Sequence, residues 1–304
     1  MILRLTPAHF LLLLVAAIWG SGFVAQRAGM ETLGPYSFNA ARFVFAFLSL
    51  LPLWWYMKQR HQGKPQVQES YSTVFWLGGL LAGSLLFAGF SLQQVGLQYT
   101  TAGNAGFITS IYIVIVPLLG LAMGQSTRMN TWIGIIFAVT GLYILSIWPD
   151  FQINKGDSLE LIGAFFWAAH VVTMGWIAQR IRDSIGFSML QFIVAACWAI
   201  ASTAILENPS LADFKAALLP LLYAGFMVSG IAFTLQLIAQ RTVNASSAAL
   251  ILSGEAVFAL LAGWLFLEET VTIKALIGCS FMLAGLLISQ WPKKRLKPKH
   301  SGNQ

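Results

Sequence analysis

Charge is what this chain has least of. Only 10% of its 304 residues are Asp, Glu, Lys or Arg, where soluble proteins carry about 25%. A water-soluble fold of this size could not hide the apolar surface that remains. Cysteine is scarce too. Cys197 and Cys279 both fall inside apolar runs, which argues against a structural disulfide or a zinc site. Polar connecting sequence is the third shortage. The longest stretch between apolar runs, 58–72, is too short for a domain. The loops carry no metal-ligand spacing, phosphate loop or nucleophile–base pair. A pump energised by an ATPase within this chain is therefore excluded, and no cofactor is implied.

What is abundant is apolar sequence, 57% of residues. A spanning helix needs about 20 mostly apolar residues at 1.5 Å each. Ten runs meet that need: 8–28, 35–57, 73–97, 102–124, 130–148, 157–180, 185–206, 214–240, 244–267 and 271–291. The expected fold is an all-α integral membrane protein of ten transmembrane helices. Aromatic residues make 13% of the chain, and Trp54, Trp55, Tyr56, Trp148 and Trp291 sit at run ends, as in interfacial belts. The first run follows Arg4 like a signal peptide. It exceeds a usual signal core and nine more runs follow, so it is read as uncleaved.

The net charge of +7 suggests nucleic acid until it is mapped. An even number of spans puts both termini on one side. Thirteen cations fall on that side, among them Arg4, Lys58, Arg60, Arg128, Arg180, Arg241 and the tail Lys293–Lys299; Arg27, Lys155, Lys215 and Lys274 fall on the other. Arg42, inside the second run, completes the 18. Retained positive charge marks the cytoplasmic side, so both termini are expected there, in a bacterial cytoplasmic membrane. Glu31, Asp150, Asp157, Glu160, Glu207, Asp213, Glu268 and Glu269 are placed outside. The basic tail, 292–304, reads as a topology anchor against anionic lipid. The bilayer is the expected partner, and nucleic acid is not.

The chain also repeats. Ile133, Gly134, Phe137, Gly141, Leu142 and Ile144 recur 144 residues later as Ile277, Gly278, Phe281, Gly285, Leu286 and Ile288. Ala16, Trp19 and Val24 match Ala164, Trp167 and Val172; Phe38, Phe43 and Ala46 match Phe187, Phe192 and Ala195; Gln93 matches Gln236. Two five-helix repeats are expected, 8–148 and 157–291. Because five is odd, the second enters the membrane from the opposite side. Inverted repeats characterise secondary transporters, with the site near the midplane between the halves.

The run Trp19-Gly20-Ser21-Gly22-Phe23, Pro35 followed by Arg42, the opening Thr100–Ala105 and Ser253-Gly254-Glu255-Ala256 together resemble the EamA family of the drug/metabolite transporter superfamily. The resemblance covers about 8–291. It implies export or exchange of small metabolites, often amino acids or related compounds; relatives move sugar phosphates and nucleotide sugars. Ala256 stands where the family usually has proline, which weakens any kink expected in the ninth run; Pro117 is kept in the fourth.

Ionisable groups in hydrocarbon are costly and mark sites or partners. Glu255 and His170 lie near mid-membrane, and either a proton or a polar substrate group suits them. A structural hydrogen bond is the alternative for Glu255, neutral packing for His170. Arg42 is a bidentate donor for an anion or a snorkelling tie to the span ends. Gln93, Gln94 and Gln98 form a polar cluster in the third run; Gln93 and Gln236 suit a zwitterion or simply join helices. Trp19 and Trp167 either wall a pocket or pack. The small openings 102–106 and 244–248 allow close helix contact, or let helix starts line a cavity. Gly79 and Gly83 also suit close contact. The candidate substrate-binding set is Trp19, Gly22, Arg42, Gln93, Asn104, Tyr112, Trp167, His170, Gln236, Ser253 and Glu255. The expectation is a transporter of a small-molecule metabolite by alternating access, export favoured, with protons as a candidate co-substrate and no enzymatic activity. A passive channel, a membrane scaffold and an intramembrane lipid enzyme are the alternatives.

Overall fold

The computed structural model describes residues 6–61, 72–100, 102–146, 154–266, 271–289 and 291. Trp148 and the tail 292–304 lie outside them. The helices run α1 Pro7–Gly29, α2 Pro35–His61, α3 Thr73–Gly96, α4 Ala102–Thr109, α5 Tyr112–Ala122, α6 Met129–Ser146, α7 Lys155–Ala178 and α8 Ser184–Leu206. They continue with α9 Leu211–Ala216, α10 Leu218–Leu222, a wide-turned π segment Tyr223–Ile231, α11 Ala232–Ala239, α12 Ala245–Leu252, α13 Glu255–Phe266 and α14 Ile273–Ser289. Among the described residues, seven continuous or near-continuous helices are long and apolar enough to cross a membrane, and three apolar helices are shorter. The fold is an all-helical, two-repeat membrane fold.

Three of the expected runs are not single helices. The fourth breaks between α4 and α5, and the ninth between α12 and α13. Pro117 does not make the first break: it lies inside α5, and the interruption falls before it, at Ser110-Ile111. The ninth run breaks without proline, at Ser253-Gly254, contrary to the expectation. There the Ser253 hydroxyl donates to the Leu250 carbonyl at 2.8 Å, an alternative to the helical ladder. The two breaks are built alike. Ile113 N donates to Ser110 O and Val114 N to Ile111 O; Ala256 N donates to Ser253 O and Val257 N to Gly254 O. Each is a tightened turn, and each new helix opens on a polar side chain, Tyr112 or Glu255.

The eighth run is divided as well. The short α9 precedes it, capped by Ser210: its Oγ accepts from the Asp213 amide at 3.3 Å, and its own amide donates to Asp213 Oδ2 at 2.7 Å, which holds that carboxyl below the ordinary aspartate range. The π segment then lies against α1 and α2.

Packing follows the same pattern in both halves. α2 lies on α8 and α6 on α14; α3 packs on α7 as α11 does on α1; α1 packs on α13 as α7 does on α5. The α6–α14 pair is cemented by the repeated glycines. A Cβ on Gly134 would stand 2.6 Å from the Gly285 carbonyl, and one on Gly141 would collide with the Gly278 carbonyl. Gly79 and Gly83 serve α3 against α8 in the same way, at Leu190 and Val194. Gly141→Val should therefore lower the unfolding midpoint of the protein in detergent, by about 1–3 kcal/mol of overpacking, with Ile136→Val unchanged as control. An unchanged midpoint for Gly141→Val would mean that the α6–α14 contact yields freely.

Candidate functional site

The core of the molecule narrows around a cavity lined by Trp19, Phe23, Gln26, Phe90, Gln93, Thr109, Tyr112, Trp167, Val171, Val228, Phe233 and Glu255. These come from both halves. Its free volume is about 30 Å³, enough for a water or two at about 10–15 Å³ each and too little for a metabolite.

The walls are aromatic. Phe90 meets Trp167 edge-on at 4.7 Å, Trp19 lies 4.7 Å from Phe233, and Phe233 stacks on Trp167 at 6.1 Å. Such pairs fix ring orientation as well as burying area. Trp19 and Trp167, repeat equivalents, thus both face the cavity, and their nitrogens differ. Trp19 Nε1 donates to the Val228 carbonyl at 3.1 Å, in the π segment, whereas Trp167 Nε1 has no partner.

Polar groups converge at one side. The Tyr112 hydroxyl lies against the Glu255 carboxyl, outside the geometry of a full hydrogen bond. Since Tyr112 and Glu255 open the helices after the two equivalent breaks, the repeat itself brings them face to face. Gln93 Nε2 donates to Thr109 Oγ1 at 3.3 Å, and Thr109 Oγ1 donates to Glu160 Oε2 at 2.9 Å. Buried polar atoms without partners are costly; the Tyr112 hydroxyl and the Trp167 indole nitrogen are two such atoms on lining residues.

Arg42 does not snorkel. It is fully buried, with its Cζ 3.9 Å from the Phe90 ring centroid. Nε donates to Ser229 Oγ and Nη1 to Gln26 Oε1, both at 3.2 Å, and Nη2 has no partner. No carboxylate pairs with it among the described residues. It stands behind the lining residues Phe90 and Gln26 rather than in the cavity wall.

Of the sequence-derived candidates, Trp19, Gln93, Tyr112, Trp167 and Glu255 line the cavity. Gly22 does not: it packs on Val228, whose methyls would stand 3.0 Å from a Cβ there. Ser253 forms the break in the ninth run. His170 lies a layer behind Trp167 and Phe233 and pairs with Gln191 Oε1 at 3.1 Å. Gln236 is buried away from the lining, and the Asn104 side chain lies outside the described residues. Gln98 is exposed. Sequence reasoning missed Phe23, Gln26, Phe90, Thr109, Val171, Val228 and Phe233. Gln26 was findable, because Trp19, Phe23 and Gln26 recur at the i, i+4, i+7 spacing of one helix face. Cys197 and Cys279 are both free, and the described residues hold no cluster of metal-binding side chains.

Two packed helical halves around a small, largely aromatic cavity are the form of a membrane transporter. The chain belongs to the EamA-like transporter family, which it matches twice, over residues 6–147 and 154–291. An uncharacterized transporter of Archaeoglobus fulgidus is 32% identical over 91% of this chain and 83% of its own length. The uncharacterized transporter YoaV of Bacillus subtilis is 23% identical over 93% of this chain and 96% of its own. A solved crystal structure superposes with a TM-score of 0.76 at 15% identity, over 93% of this chain and 96% of that one, which shows the fold.

Proposed function

We propose that this protein is a secondary transporter that moves a small polar or amphipathic metabolite, an amino acid or related compound, across a bacterial cytoplasmic membrane by alternating access. The observation that carries the reading is the cavity itself. It lies between the halves, is lined by Glu255, Gln93, Gln26 and Thr109 among aromatic rings, and is too small for a metabolite as it stands. Cargo then enters only when the halves separate at one end. Two repeats inserted in opposite directions provide two such states, because exchanging their conformations exchanges the open end. Export is favoured over uptake by the family resemblance, and protons are the co-substrate that a buried carboxyl in the cavity suits. No enzymatic step is assigned.

The substrate test is thermal: amino acids, nucleosides and sugar phosphates are screened for a raised unfolding midpoint, since a ligand of the folded state stabilises it. Those that do so are then assayed for uptake into proteoliposomes with and without a pH gradient. No stabilisation and no flux from any class would overturn the reading. The orientation has its own test. With Cys197 replaced by serine, single cysteines at Arg60 and Lys155 should label from opposite faces of intact cells. Both are exposed positions. Labelling of both from outside would remove the opposite insertion of the two halves.

A further inference from the structure

We propose that Glu160 is a proton-binding site whose occupancy is tied to the central cavity through the Thr109 hydroxyl. The sequence places Glu160 among the external acids. The structure instead buries it completely, one turn beyond the start of α7. Its Oε2 takes the Thr109 hydroxyl hydrogen at 2.9 Å, while its Oε1 has no partner. Gly96 leaves that oxygen its space, since a Cβ there would stand 2.8 Å away. No cation faces the group among the described residues. α7 presents Asp157 to it, α3 presents Gly96 and Gln93, and α4 presents Thr109; of these only Asp157 carries charge.

A carboxylate shut away from water with one hydrogen bond and no counter-ion is expensive. A proton on the free oxygen removes that cost and adds a donor. Toward the start of α7, the neighbouring Asp157 accepts the Thr100 hydroxyl at 2.6 Å and the Asn154 amide at 2.9 Å. Thr109 lines the cavity. Its hydroxyl has one hydrogen to give. A ligand in the cavity that takes this hydrogen withdraws the one donor Glu160 has among the described residues, so the carboxyl then favours its protonated form. Binding in the cavity and proton uptake at Glu160 are thereby coupled, and coupling of this kind is reciprocal.

This use of the site rests on the transporter reading, but its test needs no cargo. Purified protein in lipid is compared by infrared difference spectroscopy between alkaline and acidic buffer. A protonated-carboxyl band should form on acidification, vanish in Glu160→Gln, persist in Glu255→Gln and shift in Thr109→Val, which loses the hydroxyl without losing size. An unchanged band in Glu160→Gln would overturn the site. A band lost in Glu160→Gln yet unmoved in Thr109→Val would overturn the tie to the cavity. If Glu160→Gln fails to fold, Thr109→Val decides alone, an unshifted spectrum counting against the proposal. A failed metabolite screen leaves these outcomes readable, and so separates this proposal from the transporter reading.

Discussion

Glu255→Gln should cut transport by about ten- to a hundredfold while the protein still inserts and folds. The change keeps the shape of the side chain, so the Tyr112 contact and the packing of α13 on α1 survive. What it removes is the negative charge and the capacity to bind a proton. A hydrogen bond to a charged group contributes about 1.5–3 kcal/mol, and each 1.4 kcal/mol is about tenfold. Glu255 is almost fully buried and its carboxyl opens onto the cavity, so a cationic or amine group of the cargo has no other described carboxylate in the lining to meet. The measurement is the initial rate in proteoliposomes, with equal protein incorporated, using whichever metabolite stabilises the wild type. Rates are taken across a range of pH. Full activity of the variant at every pH would make Glu255 a packing residue and leave proton coupling without a carrier in the cavity. Tyr112→Phe is the companion. It deletes the hydroxyl facing Glu255 and should act in the same direction but less strongly.

The spans were legible because hydrocarbon demands a single property, sustained apolarity, and sequence displays it directly. The glycines of α6 and α14 were legible as a repeat, and the structure turns that repeat into a contact. Glycines repeated at one spacing suit close contact in a membrane helix: Gly134 and Gly285 meet each other's carbonyls, and Gly141 meets that of Gly278. The break at Ser253-Gly254 was not legible. Proline is no guide, since Pro52 and Pro117 lie inside unbroken helices; here the interruption goes with serine bonding back to its own helix, which many unbroken membrane helices also do. Glu160 shows another limit. An acid near the end of an apolar run reads as surface, and only the packing of α3 and α4 over α7 takes it out of water. The surroundings of Arg42 were hidden for the opposite reason. A cation in a span suggests an anion or the interface, yet Phe90 and Phe38 hold it by their ring faces, and aromatic residues are too common in this chain for that pairing to be singled out. The Tyr112–Glu255 contact emerges only once the two broken helices are superimposed, because the repeat places unlike residues at equivalent positions.

Val171→Trp should abolish transport, while Ile136→Trp and Leu276→Trp should leave it near the wild-type rate. Val171 lines the cavity and is 2% exposed, so an indole there has about 30 Å³ of free space to enter and must fill it and press on Phe233 and Trp167. Ile136 on α6 is 63% exposed and Leu276 on α14 57%; a large aromatic at such a position exchanges one apolar surface for another. Gly22 and Ser253, also attractive from sequence, are poorer choices. A side chain at Gly22 strikes Val228, and one at Ser253 alters the helix break, so either would disturb the fold as well as the cavity. Val171→Phe guards against the same objection, because it is a smaller intrusion and should slow rather than stop transport. Overpacking of this kind costs about 1–3 kcal/mol, which the unfolding midpoint in detergent would register separately from the rate. The expected signature is a graded loss, Val171 to Phe and then to Trp, with midpoints that stay cooperative. If Val171→Trp transports normally, or the α6 and α14 variants are the more damaging, the cargo passes elsewhere and the outer pair of helices lines its route.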